Sequence, residues 1–78
     1  MKALFCAVFE DLEDNMVRVA HVYVDEDTST EDLEVWAFDA LGDLLDEPIS
    51  RKNTMGWVLS DIQQVKTSGP LFLSLIHI

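Results

Sequence analysis

The sequence predicts an α+β fold: an antiparallel sheet of three or four strands with one amphipathic acidic helix packed on one face, in the order β-β-α-β-β. Three stretches carry that expectation. Ala3 to Phe9 (ALFCAVF) is a continuous apolar run, and Met16 to Val24 (MVRVAHVYV) alternates its side chains. Asp25 to Glu47 combines helix-start chemistry with an apolar periodicity of 3.6 residues.

Ala3 to Phe9 is rich enough in aromatic and branched residues to form a central strand. Glu10 to Asn15 (EDLEDN) is a polar break of hairpin length, and Asp14-Asn15 can take positive φ. In the second strand Val17, Val19, His21 and Tyr23 share one face, and Arg18, Ala20, Val22 and Val24 share the other. The two strands are expected to form an antiparallel hairpin.

Asp25-Glu26-Asp27 is a solvated connector. Thr28, Ser29 and Thr30 offer N-caps, and Thr28 with Glu31 makes a capping box. Glu31, Asp32 and Glu34 complement the helix dipole. At 100° per residue Leu33, Ala37, Ala40, Leu41 and Leu44 form the core stripe with Trp36 at its edge, while Val35 and Phe38 fall outside it. Gly42 costs about 1 kcal/mol against alanine, and Pro48 ends the helix.

Pro48 to Met55 (PISRKNTM) is a loop and the only basic cluster. Gly56 to Val65 reads as a third strand, Lys66 to Pro70 as a turn, and Leu71 to Ile78 as a fourth strand. Leu73 to Ile78 (LSLIHI) also matches a frame translation of a transposase end sequence used in some sequencing libraries. Two readings therefore stay open for it: a non-native tail, or an ordinary last strand.

With 78 residues the chain makes one domain, residues 1–78. Its 49% hydrophobic content is too high for disorder despite a net charge of −10. Fourteen of the 15 acids lie between Glu10 and Glu47, with Arg18 as the only base there, so that stretch carries −13. Such a field repels nucleic acid and anionic membranes and steers cationic partners inward. No direct contact with nucleic acid or membrane is expected.

Cys6 is alone, which fits a reducing, cytoplasmic compartment. No signal peptide is recognisable, since only seven apolar residues precede Glu10, and no run reaches the roughly 18 residues of a membrane helix. Catalysis by Cys6 with His21 lacks an accompanying motif, and a thiol within an apolar strand is ordinarily inert. A calcium loop from Asp25 fails at Thr30, where glycine is required, and at Trp36, where a bidentate glutamate is required. One cysteine cannot anchor a structural zinc site, and no phosphate loop exists. No enzyme activity, metal or cofactor is expected.

What remains is binding. Ten of the 23 residues from Asp25 to Glu47 are acidic and none is basic, while Val35, Trp36 and Phe38 add apolar surface off the core stripe. Apolar side chains rimmed by charge are the usual composition of a binding hot spot. The candidate partner-binding residues are Asp25, Glu26, Asp27, Glu31, Asp32, Glu34, Val35, Trp36 and Phe38. Solubility alone is the plainer reading of the acids, and packing in a homodimer is the plainer reading of Val35 and Phe38. A homodimer with the helix at its interface is expected.

The element order resembles the short dimeric uracil-DNA glycosylase inhibitors carried by some phages. Ser29 to Phe38 (STEDLEVWAF) is similar to that family's Ser-x-Ser-Asp-Phe-Glu-Val-Leu-Tyr helix start. Leu33 stands for the family's Phe, Glu34 for its Glu, Val35 for its Val and Trp36 for its Leu. Its Tyr falls on Ala37, with Phe38 one place late. The resemblance spans about 50 residues and rests on that ten-residue motif. It implies a DNA mimic acting in the cytoplasm of an infected bacterial host. In such a mimic, acids occupy the enzyme's phosphate-binding groove and an apolar pocket captures the side chain that the enzyme pushes into the duplex. The topology also resembles small phage inhibitors of bacterial RNA polymerase, and acidic anti-CRISPR proteins use similar surfaces.

Overall fold

A computed structural model describes residues 1–65. The expected fourth strand, Leu71 to Ile78, and the tail within it lie outside the described residues. The elements are β1 (Lys2–Asp11), β2 (Met16–Asp25), α1 (Thr30–Leu45) and β3 (Trp57–Val65). The sheet has the order β2-β1-β3, and both pairings are antiparallel. The α+β class is as the sequence predicts, and the apolar run Ala3–Phe9 does lie in the central strand.

The hairpin closes through Asn15, whose φ of 56° is the left-handed conformation asparagine tolerates. Asp11 prepares that turn, its Oδ1 accepting from the amides of Glu13 (3.1 Å) and Asp14 (3.4 Å). The register then pairs Phe5 with Val22 and Ala7 with Ala20, all four of them buried in the core. On the other side of β1 the register shifts between Val8 and Phe9, where Ser60 is the extra residue. That bulge lets Leu59 and Ile62, three positions apart, both face the helix side beside Trp57.

The core lies wholly between the sheet and α1. Ala3, Phe5, Ala7 and Phe9 of β1, Ala20 and Val22 of β2, Ala37, Phe38 and Leu41 of α1, and Ile49 and Trp57 are buried. Phe9 and Phe38 meet edge to face, their ring centroids 4.9 Å apart and their planes at 63°.

This corrects the expectation for the helix. Phe38 is 6% exposed and belongs to the core, whereas Leu44, assigned to the core stripe, is 57% exposed. The buried face is turned by most of one residue's 100° relative to the stripe read from the sequence. The Phe9 ring offers Phe38 an aromatic partner, and a phenyl ring buries more apolar area than Leu44. Gly42 has the same origin. A Cβ there would stand 2.9 Å from the Glu47 carbonyl oxygen and 3.0 Å from that of Ile49, so the returning chain crosses the helix at a place only glycine leaves open.

The caps also differ in detail. Ser29 rather than Thr28 is the N-cap, its Oγ accepting from the Asp32 amide at 3.2 Å. Thr28 instead donates its hydroxyl to the Asp25 carbonyl at 2.6 Å. The helix stops at Leu45, before Pro48, because Asp46 takes a left-handed φ of 55°. The Glu47 amide then donates to the Gly42 carbonyl at 3.0 Å, which closes a Schellman turn.

Candidate functional site

Because α1 crosses the sheet at β2, the strip between the helix and the β2 edge is left as an open groove of about 770 Å3. Its apolar lining includes Trp36, Tyr23, Val22 and Val24, and its carboxylates are Asp25, Asp39, Asp43 and Glu47. Lys2 and His21 also line it, so it is acidic on balance rather than uniformly so. A smaller hollow of about 400 Å3, lined by Val19, Ala40 and Leu44, continues from it at His21 and Asp43.

Helical geometry sets the outward ridge of α1. Trp36 is 52% exposed and points away from the core, with Asp32 four residues before it, Asp39 three after and Asp43 seven after. At 1.5 Å rise per residue, Asp32 to Asp39 spans about 10 Å of helix axis and Asp39 to Asp43 about 6 Å. Among the described residues no salt bridge reaches Asp32, Asp39, Asp43 or Glu47.

The acids of the opposite flank are differently placed. Arg51, from the loop after the helix, reaches back to Glu31 Oε1 (3.4 Å) through Nη1 and to Glu34 Oε2 (3.3 Å) through Nε. On the groove side, Asp25 pairs with the N-terminal amine at 3.4 Å, both groups being well exposed. Glu26 and Asp27 are exposed in the connector and are not among the groove residues.

The nine residues singled out from the sequence therefore separate. Asp25 and Trp36 line the groove, Asp32 stands on the ridge beside Trp36, and Val35 is 38% exposed on the same outward side. Glu31 and Glu34 are held by Arg51, and Phe38 is withdrawn into the core. Sequence reading missed Tyr23, Asp39, Asp43 and Glu47. The spacing of Asp32, Trp36, Asp39 and Asp43 at i, i+4, i+7 and i+11 was the signal that could have found the helical part.

The register sets Cys6 opposite His21, yet no hydrogen bond between them occurs among the described residues. Among those residues no group of three or more His, Cys, Asp or Glu side chains is arranged to hold a metal ion. No described helix is long and apolar enough to cross a membrane.

No protein-family model matches the chain. No curated protein and no solved structure matches it either.

Proposed function

We propose that this protein is an inhibitor without catalytic activity of its own, which mimics nucleic acid and occupies the binding groove of a DNA-binding enzyme. The observation that carries the reading is the outward ridge of α1: an exposed Trp36 set among Asp32, Asp39 and Asp43, above a groove edged by Asp25 and Glu47. Carboxylates set along one helix ridge offer ion pairs to lysines and arginines that otherwise hold DNA phosphates. Trp36 supplies what charge cannot, a contact that persists when salt screens the acids and that slows dissociation.

Uracil-DNA glycosylase is the first target to test, because Ser29–Phe38 resembles the helix start of that enzyme's phage inhibitors. Burial of Phe38 leaves Val35 and Trp36 as the apolar contacts from that motif. The acidic ridge itself supports the wider class, in which a phage-type inhibitor acts on RNA polymerase or a CRISPR effector.

The deciding experiment is surface-based binding kinetics against uracil-DNA glycosylase at about 0.05 M and about 0.5 M salt, with duplex DNA as competitor. The expected result is a complex that DNA displaces, with an association rate that falls with salt and a dissociation rate that changes little. Absence of a complex at low salt removes this target. Retention of duplex DNA by the protein itself would overturn the mimic reading altogether.

A further inference from the structure

The unbroken run His21 to Asp25 of β2 lines the groove, and Val19, Ala20 and His21 line the hollow that continues it. Strand side chains point alternately to two faces, so a continuous run in one cleft means that the cleft follows the backbone edge. β2 is the outer strand of the order β2-β1-β3, and among the described residues no strand pairs with that edge. The Glu26 amide donates to the Met1 carbonyl at 3.0 Å, one step beyond the paired Lys2 and Asp25, and this sets the phase of the ladder. Bonded and non-bonded pairs alternate in an antiparallel ladder, so Ala20, Val22 and Val24 bond to β1 while the backbones of Val19, His21 and Tyr23 face outward. Both ends of this edge are closed. Arg18 Nη1 donates to the Val17 carbonyl at 3.0 Å, and the Asp25 carbonyl accepts from the Thr28 amide and hydroxyl. We propose that the open edge between them, Val19 to Val24, takes up an extended segment of a partner protein as an added strand, one that alternates basic and apolar side chains.

The two outer strands differ in how they discourage such pairing. Native sheets blunt an edge with lysine, proline, charge or a bulge. β3 has the bulge at Ser60 and the charge of Asp61. Val19 to Val24 (VAHVYV) has no lysine, proline or carboxylate, and its register with β1 is unbroken. It is also about as long as an ordinary strand.

Charge selects the segment. On the helix side of the edge stand Asp39, Asp43 and Glu47, without a salt bridge among the described residues, and the half-exposed Trp36. Side chains of an added strand that fall on that side meet carboxylates and an indole, which suit lysine or arginine. Those on the other side lie beside Val19 and Tyr23, both exposed, which suit β-branched or aromatic residues. Lys2 belongs to this second side, its Nζ 5.9 Å from the centre of the Tyr23 ring. A second copy fits poorly: its own Val19 to Val24 has no lysine or arginine, and continuing the sheet would set two acidic helices on one face. Leu71 to Ile78 likewise carries neither lysine nor arginine. That the partner is basic rests on the proposed function; the open edge adds which kind of segment is held, and holds it by its backbone.

The probe is a blocked peptide of about eight residues alternating lysine and valine, titrated into the full chain at about 0.05 M salt. Nuclear magnetic resonance should show binding with a dissociation constant below about 1 mM. Hydrogen exchange at the Val19, His21 and Tyr23 amides, fast in the free chain, should slow at least about tenfold at saturation, while Ala20, Val22 and Val24 change little. In an antiparallel pairing, like the two already in the sheet, the valine amides of the peptide face β2. N-methylation of those amides keeps the charge and removes the donors, so it should weaken binding at least about tenfold, whereas N-methylation at lysine should not. Asp39→Asn with Asp43→Asn, both on exposed positions, should weaken binding about three- to tenfold at low salt. Failure of the parent peptide to bind overturns the proposal. So does protection on β3 instead of β2, or binding as tight as the parent's by the peptides methylated at valine and at lysine alike. Val19, His21 and Tyr23 amides already protected in the free chain would mean that the edge is covered, and would overturn it as well. A DNA-displaced complex with uracil-DNA glycosylase alongside any of these results leaves the mimic reading standing. Peptide binding without that complex supports strand addition and removes the target alone.

Discussion

The two flanks of α1 carry closely similar residues and put them to opposite uses. Toward the sheet and the following loop stand Phe38, Glu31 and Glu34: the ring is packed edge to face on Phe9, and both carboxylates are held by Arg51. Toward solvent stand Trp36, Asp32, Asp39 and Asp43, the aromatic half exposed and the acids without a salt bridge among the described residues. An aromatic and a set of acids close in sequence thus serve stability on one side and remain available for binding on the other. Composition does not separate the two sides. Position on the helix relative to a sheet and a loop does.

The comparison is broken most readily at its aromatic pair. Phe38→Ala should cost about 3–5 kcal/mol of stability, because it leaves a cavity against Phe9 and Leu41. Chemical denaturation followed by circular dichroism measures this, and a loss under about 1 kcal/mol would mean that Phe38 is not a core residue. Trp36→Ala should leave stability within about 0.5 kcal/mol, since half its surface is already in water. Its effect belongs in binding, where the dissociation rate from a basic enzyme partner should rise by about 2 kcal/mol, or roughly thirtyfold. Equal loss of stability in the two variants would erase the distinction between the flanks.

The acids sharpen it further. Asp39→Asn together with Asp43→Asn should lower the association rate about three- to tenfold at low salt and change it little at high salt. Stopped-flow mixing at the two salt concentrations resolves this. The smallest effect is expected at Arg51→Ala, which removes an exposed pair worth about 0.2–1 kcal/mol. Releasing Glu31 and Glu34 should raise, not lower, the association rate with a basic partner. A fall in that rate would show that Arg51 itself touches the partner.

The helix was legible to its ends within a residue or two, but its rotation was not. Periodicity in Leu33, Ala37, Ala40, Leu41 and Leu44 describes a stripe, and Phe38 stands just outside it. Nothing in the chain says that Phe9 will lie beneath Phe38, since that meeting depends on the register of β1 and on the angle at which α1 crosses. Gly42 shows the same limit. Its local cost was readable, and its reason, the carbonyls of Glu47 and Ile49 within about 3 Å of a missing Cβ, was not.

For the candidate site, acidity and an outlying tryptophan could be read directly, whereas which acids remain outward could not. The sequence pointed to Glu31 and Glu34 and passed over Asp39 and Asp43, whereas the Pro48–Met55 loop brings Arg51 back beside the first two and leaves the second two without a salt bridge among the described residues. The sequence by itself determined the three described strands and the helix, the hairpin turn at Asn15, the N-cap region and the concentration of negative charge, because each depends on neighbours a few residues away. The tertiary structure decided the strand order β2-β1-β3, the face α1 buries and the groove along β2. Those depend on contacts between segments tens of residues apart, where register, crossing angle and loop return act together and local patterns carry no information about them.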